Sequence, residues 1–298
     1  MEPSLTGLRV LRGVAERGSF TAAAAALDYT QSAVSRQVAA LEREAGVLLV
    51  ERRTGGVRLT AAGATLLRHA VVALDEIDAA ARELAGAGTV REVRLGMYVS
   101  GGAALLPAVL DAVRRAHPGI RVSSQEGTTP ALVRALRAGS LDLAVITSRP
   151  PYGRPDDELP RLMVATFGEA DLVVAAPAAG RFAGRTSVTV DELADADWIA
   201  SPSTRGEPLL GVWPGLAGRP RVAHSARDWL SKLLLVQSGW GVTTLPANLV
   251  HAVPPGVLVL EVLGGPPQRR RVSVVRAPGE PAPDVAAVLA TLRRPTAR

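Results

Sequence analysis

The chain contains no cysteine and few aromatic residues. The absence of cysteine among its 298 residues excludes disulfides, thiol catalysis and cysteine-ligated zinc. Aromatic residues make up 3% of the sequence, so the core must be built mainly from alanine, valine and leucine. Lys232 is the one lysine, and the other basic residues are all arginines. Arginine suits bidentate contacts with phosphate, guanine and carboxylate, although coding bias alone also produces this preference.

Targeting signals and catalytic motifs are also missing. The sequence has no basic-then-apolar leader and no apolar run of about 18 residues, which predicts a cytoplasmic protein with no membrane contact. It has no Gly-x-Ser-x-Gly elbow, no glycine-rich phosphate loop ending in lysine and no His-Glu-x-x-His motif. Its four histidines are scattered. We therefore predict no catalytic residue, no metal site and no cofactor, and we disfavour an enzyme.

Length and charge set looser limits on the function. A chain of this length that is 47% hydrophobic can form two or three folded domains. Its net charge is +6, and most of the excess lies in residues 264–298 rather than near the start of the chain. A high isoelectric point is therefore weak evidence for DNA binding, which has to rest on sequence motifs.

Two short helices joined by a turn are predicted near the start of the chain. The first covers residues 21–27, is almost entirely alanine, and has Ser19 as its N-cap. The second begins at Gln31, and its apolar spacing predicts one buried stripe of Val34, Val38, Leu41 and Ala45. The opposite side carries Gln31, Ser32, Ser35 and Arg36. The N-terminal part of the second helix in a helix-turn-helix contacts base edges in the major groove.

A short basic hairpin is predicted after these helices. Gly55-Gly56 forms a two-residue turn between two strands. Arg52, Arg53 and Arg58 would contact phosphates or enter the minor groove beside the second helix. A polar helix face alone is usually only solvated. Helices, turn and basic wing in this order, however, predict a winged helix-turn-helix domain over residues 3–60.

Residues 5–86 resemble the winged helix-turn-helix and linker helix of LysR-type transcriptional regulators. The match includes Gly18-Ser19-Phe20-Thr21-Ala22-Ala23-Ala24 and Thr30-Gln31-Ser32-Ala33-Val34-Ser35-Arg36-Gln37. The resemblance implies that Gln31, Ser32, Ser35 and Arg36 face DNA and that Arg52 or Arg53 acts from the wing. Our predicted DNA-binding set also includes Ser19, Thr21, Thr30, Gln37 and Arg58. Ser32 stands where the family usually has proline, which leaves the base preference open.

Residues 61–88 are predicted to form a linker helix. The segment ends at the glycines of Gly86-Ala87-Gly88, as expected at a helix terminus. Apolar residues recur at intervals of four and three, as in a coiled-coil seam: Leu66, Ala70, Ala73, Ile77, Ala80 and Leu84. This face either packs on its own domain or pairs with a second copy, and we favour pairing. The resemblance likewise implies a homodimer or a homotetramer.

The remaining residues alternate between predicted strands and helices, which indicates a mostly parallel sheet. Residues 91–298 resemble the effector-binding domain of the same family, with two α/β subdomains like those of periplasmic solute-binding proteins. The matching signatures include Val93-Arg94-Leu95-Gly96 and Gly239-Trp240-Gly241-Val242. We predict this domain over 89–298, with subdomain I at 89–162 and 267–298 and subdomain II at 163–266.

An effector site is predicted at strand ends and helix starts, where ligands bind in such sheets. The candidates are hydroxyl residues, two glycines and one arginine: Ser100, Gly101, Gly102, Thr128, Thr129, Thr147, Ser201, Ser203 and Arg205. Such groups suit an anion, and a carboxylate is favoured. Any single serine or threonine here also suits an ordinary helix cap. The acidic run Asp156-Asp157-Glu158 is predicted to be a solvated loop.

The sequence thus predicts an α/β protein with an N-terminal all-α winged helix-turn-helix, a linker helix and a periplasmic-binding-protein-like domain. We interpret it as a LysR-type regulator that binds double-stranded promoter DNA, a small-molecule effector, a second copy of itself and RNA polymerase. A constitutive regulator with a closed cleft is the alternative. A free solute-binding protein is disfavoured by the N-terminal domain.

Overall fold

The computed structural model describes residues 2–53, 56–84, 91–202, 209–216, 218–265 and 268–293. The chain divides into two compact units. Unit 1 consists of Met1–Thr147, Arg154–Phe167 and Ser273–Arg298, and unit 2 consists of Ser148–Gly153 and Gly168–Val272. The segment predicted as subdomain II, residues 163–266, begins and ends a few residues before the main segment of unit 2.

Unit 1 begins with three short helices: α1 (Leu5–Arg17), α2 (Phe20–Ala26) and α3 (Gln31–Ala45). Each starts after a hydroxyl residue that accepts a hydrogen bond from a backbone N–H of the first turn, namely Ser4, Ser19 and Thr30. The prediction that Ser19 is an N-cap is confirmed. The three helices share one core, which contains Val10, Val14, Phe20, Val34 and Val38.

A two-stranded hairpin follows, formed by β1 (Val50–Arg53) and β2 (Gly56–Leu59). Arg53 pairs with Gly56, so the prediction that Gly56 lies in the turn is wrong, because Gly56 belongs to β2. Gly55 lies outside the described residues. The physical role of Gly56 is a close approach to the end of α1. A Cβ atom there would lie 2.5 Å from the carbonyl oxygen of Gly18, and the neighbouring Val57 N–H donates to that oxygen at 2.8 Å.

The long helix α4 (Ala61–Leu84) begins directly after the hairpin. Thr60 fixes its start: the Thr60 Oγ1 accepts from the Gly63 N–H at 3.0 Å and donates to the Leu48 carbonyl at 2.7 Å. Leu67 and Leu74 are buried in a core that they share with α1. The predicted glycine-rich end of this helix, residues 86–89, lies outside the described residues.

The α/β part of unit 1 follows. Its elements are β3 (Arg91–Tyr98), α5 (Val99–Ala104), α6 (Leu106–Ala116), β4 (Ile120–Gly127), α7 (Thr129–Arg137) and β5 (Leu143–Ser148). β3 lies between β4 and β5 and is parallel to both. Val99 follows β3 directly and begins α5. The parallel arrangement follows from the helical crossovers that connect these strands.

The strands that follow are β6 (Met163–Pro177), β7 (Ser187–Thr189), β8 (Asp197–Ala200) and β9 (Arg221–Ser225). After them come α8 (Trp229–Gln237), β10 (Thr243–Pro246), β11 (Val257–Leu263), β12 (Arg269–Arg276) and α9 (Pro283–Arg293). Within unit 2, β8 and β9 are parallel, as are β11 and β7. The long β6 pairs antiparallel with β10 and β11, so the sheet is mixed.

The core of unit 2 contains aromatic side chains that the composition did not predict. Trp198 is completely buried, and Phe182 and Trp213 pack in the same cluster with valines and leucines. Throughout the described residues, each helix is too short or too polar to cross a bilayer. The observed order, a winged helix-turn-helix, a long helix and α/β layers, agrees with the predicted fold class.

Candidate nucleic-acid interface and anion site

The N-terminal turn of α3 presents polar side chains on its exposed face. Gln31, Ser32 and Arg36 are exposed, whereas Ser35 and Gln37 are partly buried. The opposite face is fixed in the core, because Val34, Val38 and Leu41 are at most 2% exposed. The predicted buried stripe is therefore confirmed for these three residues. Helical periodicity alone directs the polar side chains outward, since they lie on the side of α3 opposite the stripe.

Two of the predicted DNA-binding hydroxyls are also helix caps. The Ser19 Oγ accepts from the Ala22 N–H at 3.4 Å, and the Thr30 Oγ1 accepts from the Ala33 N–H at 3.2 Å. The Thr30 hydroxyl also lies 3.1 Å from the Ser32 Oγ. Thr21 is exposed in the first turn of α2. A capping hydroxyl still has an O–H donor, so capping is compatible with a phosphate contact.

The three wing arginines have three different environments. The Arg52 guanidinium lies 5.4 Å from the centre of the Phe20 ring, and Arg53 pairs with Glu51 at 2.9 Å. Both arginines are exposed. Arg58 instead forms an ion pair at 3.0 Å with Glu158. Arg58 therefore has a carboxylate partner where a phosphate contact was predicted.

The acidic run at 156–158 is not a freely solvated loop, so that prediction is wrong for two of its members. Asp156 accepts from the Arg137 Nη2 at 2.8 Å, and its side chain is 18% exposed. Glu158 holds Arg58 and also lies 3.7 Å from the Arg137 guanidinium. Asp157 is exposed. These partners could not be predicted from the sequence, because residues 58 and 158 are far apart in the chain and meet only in the tertiary fold.

A partly buried ionic cluster connects α1, α4 and the start of the α/β region within unit 1. Asp75 on α4 accepts from Arg12 on α1 at 3.2 Å and from Arg94 on β3 at 3.0 Å. Arg94 also donates to Asp142 at 2.7 Å. Burial disfavours the Arg94 charge, but the hydrogen bonds and charges of Asp142 and Asp75 outweigh burial and raise the Arg94 pKa. We name these four residues the Asp75 cluster.

The turn after α7 packs against the same surface. The Arg12 Nη2 donates to the Gly139 carbonyl at 2.7 Å, and the Ser140 hydroxyl donates to Glu16 at 3.0 Å. Gly139 has a φ of +67°, and a Cβ atom there would lie 2.4 Å from the Val71 side chain. Glycine is thus required both by its left-handed backbone and by its contact with α4. Helices α1 and α4 are in this way packed directly on the α/β region of unit 1.

The six predicted seam residues of α4 fall into two groups. Leu66 and Ala70 pack in the core that α4 shares with α1, so the alternative of packing on their own domain applies to them. The other four are exposed, namely Ala73, Ile77, Ala80 and Leu84. Ile77 is 39% exposed and Leu84 is 90% exposed. Pairing with a second copy stays a prediction for the second half of the helix.

The candidate effector residues at 100–102 lie where β3 leads into α5. Ser100 and Gly101 are buried, and Gly102 is partly buried. The Glu126 carboxylate lies beside Gly102, since a Cβ on this glycine would be 2.1 Å from the Glu126 Oε1. A negative side chain at this position opposes the binding of an anion next to Gly102.

The candidate threonines of unit 1 are brought together at the same edge of the sheet. The Thr128 Oγ1 accepts from the Ala131 N–H at 3.4 Å and so caps α7. The Thr129 hydroxyl donates to the Thr147 carbonyl at 3.2 Å. These bonds agree with the alternative that serine and threonine at strand ends act as caps. Their role in effector binding stays a prediction.

The candidates in unit 2 follow β8. The Ser201 N–H donates to the Leu210 carbonyl at 2.6 Å, and the Ser201 Oγ accepts from the Lys232 Nζ at 2.8 Å. Ser201 is partly buried. The predicted Ser203 and Arg205 lie outside the described residues.

Lys232, which sequence reasoning did not assign to any site, lies on α8 and is 1% exposed. Its ammonium group lies 4.9 Å from the centre of the Trp229 ring. Burial, together with the positive charge of Arg270, lowers the Lys232 pKa to about 8, although Asp228 acts in the opposite direction. A signal was present, because this single lysine precedes the apolar run Leu233-Leu234-Leu235-Val236.

Two family models match the chain. The model described as the LysR substrate binding domain matches residues 86–296. The model described as a bacterial regulatory helix-turn-helix protein of the lysR family matches residues 5–64. Together they cover both the winged helix-turn-helix and the α/β region.

Known proteins resemble the chain over most of its length. A protein of Mycobacterium avium named "Probable hydrogen peroxide-inducible genes activator" is 32% identical over 254 residues, covering 84% of this chain and 79% of that protein. A full-length OxyR variant from Pseudomonas aeruginosa has a similar fold, with a TM-score of 0.62, 24% identity and coverage of 99% and 96%. CbnR in a complex with its target DNA gives a TM-score of 0.57 at 24% identity, with coverage of 99% and 100%.

Proposed function

This chain belongs to the LysR family of DNA-binding transcriptional regulators, and we propose that it reads promoter DNA through the exposed N-terminal turn of α3. The observation that carries the proposal is the outward display of Gln31, Ser32 and Arg36 opposite a fully buried stripe. Glutamine pairs with adenine and arginine with guanine in the major groove. Arg52 and Arg53 contact phosphates from the wing.

We propose that the protein binds DNA as a symmetric oligomer. The second half of α4 supports this, because Val72, Ile77 and Leu84 are 63%, 39% and 90% exposed. Apolar side chains on a long helix gain free energy when they are covered by a second copy. Two copies then place two α3 helices on the two halves of an interrupted palindrome, one or more helical turns apart. RNA polymerase is the further partner, and the protein acts in the cytoplasm, where its DNA target lies.

We propose that a small carboxylate, rather than an oxidant acting on a thiol, controls this binding. The Mycobacterium avium relative is named for hydrogen peroxide, but this chain has no cysteine. It therefore has no thiol to oxidise and no disulfide to form. The hydroxyl residues at strand ends and the basic groups of unit 2 instead support recognition of an anion.

Footprinting of the full chain on the DNA that flanks its own gene, at two salt concentrations, tests the DNA-binding proposal. We expect a protected site in two parts and weaker binding at higher salt, because phosphate contacts release counterions. Salt-sensitive binding without a protected site would contradict the proposed sequence-specific reading by α3.

A further inference from the structure

The ammonium group of Lys232 is a buried charge with few partners. Among the described residues, its one hydrogen-bond acceptor is the Ser201 Oγ at 2.8 Å, and no carboxylate lies within 4.0 Å of it. An ammonium has three N–H donors, so this contact uses one of them. The Trp229 ring, 4.9 Å away, adds a cation–π contact but accepts no conventional hydrogen bond.

A second cation reinforces the positive potential at this place. Arg270 on β12 lies close enough to disfavour the Lys232 charge. Asp228, at the N-cap of α8, lies on the same helix and partly offsets it, but its carboxylate accepts from the Ser231 N–H at 2.7 Å. A buried ammonium is normally paired with a carboxylate, because the free energy lost with its water shell must be offset by an opposite charge. Within the described residues this cation therefore lacks the carboxylate that normally accompanies it, and the anionic group of a bound ligand can supply that charge.

We propose that Lys232 and Ser201 form the anion receptor of the effector site and that their ligand is the carboxylate group of a small organic acid. The inference rests on the proposed effector control and adds the residue that supplies the charge. A carboxylate has two oxygens, which can accept from the ammonium and from the serine hydroxyl together. Ser201 is partly exposed, which places the pair at the margin of the core.

Carboxylate binding can be tested on the full chain with acetate, succinate and benzoate, each against chloride at equal ionic strength. Tryptophan fluorescence and thermal unfolding report the titration, and Trp229 lies beside the ammonium. For at least one of the three acids we expect a saturable response in the wild type. We expect its affinity to fall at least tenfold in Lys232→Met and severalfold in Ser201→Ala. Arg227→Met removes an exposed cation next to α8 and should bind as the wild type does.

Several outcomes would overturn the inference. These are a wild-type response that Lys232→Met retains, an equal loss in Arg227→Met, or no saturable response to any of the three acids. A Lys232-dependent response to sulfate as strong as that to carboxylates would support an anion receptor but overturn the carboxylate assignment. Ser201→Ala keeps the test valid if Lys232→Met does not fold.

Binding of the promoter fragment, measured on the same preparations, separates this inference from the proposed function. If the wild type binds DNA specifically but ignores the acids, the receptor assignment fails and the DNA-binding function stands. If the wild type shows no specific DNA binding, the proposed function itself is contradicted, whatever the acids do.

Discussion

The N-terminal turn of α3 and the Lys232–Ser201 pair present their charges in opposite ways. Arg36 is exposed on a helix whose other side is buried, whereas Lys232 is 1% exposed. An exposed cation keeps its hydration and is screened by salt, which suits a large polyanion such as DNA. A cation without its water shell is costly to keep in the protein, but it attracts a bound anion more strongly. Such a site suits a small ligand that the protein can surround. The burial of a basic side chain thus indicates the size of the partner that it can bind.

The largest effect on DNA binding is expected from Arg36→Ala. Loss of a bidentate contact with guanine costs about 1–3 kcal/mol, so the specific Kd should rise by roughly 5-fold to 150-fold. Fluorescence anisotropy with the footprinted site at fixed salt measures this. Arg43→Ala removes an exposed arginine from the last turn of the same helix and is the matched control. Equal losses in both variants would mean that α3 contributes only general charge.

The buried cation should limit the stability of unit 2. The Lys232 pKa is lowered from 10.5 to about 8, so between these values the unfolded chain binds more protons and stability rises with pH. Below about pH 8 the penalty is fully present, at about 3 kcal/mol. Lys232→Met should therefore raise the Tm at pH 7 and flatten the rise between pH 8 and 10.5, while Arg270 and Asp228 keep their charges. A lower Tm in Lys232→Met would show that the ammonium is already well paired.

The Asp75 cluster should contribute less, because its members are partly exposed. Asp75→Asn removes the charge that Arg12 and Arg94 share and should destabilise the chain by about 1–2 kcal/mol in urea unfolding. Glu76→Gln changes an exposed neighbouring residue and should have no measurable effect. Similar unfolding midpoints for the two variants would show that the cluster adds nothing to stability.

The smallest effect is expected from Glu158→Gln. This change removes the carboxylate that Arg58 contacts at 3.0 Å, so Arg58 becomes available to a phosphate. DNA affinity should rise by about twofold to threefold, and the slope of log K against log salt should steepen by about one. Asp157→Asn alters an exposed carboxylate in the same loop and should leave both quantities unchanged. An unchanged salt slope in Glu158→Gln would exclude Arg58 from the phosphate contacts.

Local patterns predicted the DNA-binding helices well. The start of α3, its buried stripe and the Ser19 cap depend on residues within four positions of one another, so the sequence carries the whole signal. The prediction for the wing turn was wrong at Gly56, because two adjacent glycines are compatible with several pairing registers of the β1–β2 hairpin. The deciding contact is between Gly56 and Gly18, which are far apart in the sequence.

The ionic contacts could not be predicted for the same reason. Arg94 contacts Asp75 on α4 and Asp142 just before β5, and both carboxylates are distant from it in the sequence. Lys232 was visible as a single lysine, but its burial depends on the strands that pack against α8, among them β8, β10 and β11. Charged residues mark such sites in a sequence, whereas their pairing is decided by the tertiary fold.

The hydrogen bond from the Val57 N–H to the Gly18 carbonyl has a consequence for the DNA itself. It joins the wing to the end of α1, and α1 shares its core with α3. In the proposed complex with DNA, the distance between the side chains of α3 and those of the wing is therefore set by the protein. Such a domain measures the local twist and groove width of a duplex, because a sequence that must be deformed to fit pays an elastic energy at base pairs that no side chain touches.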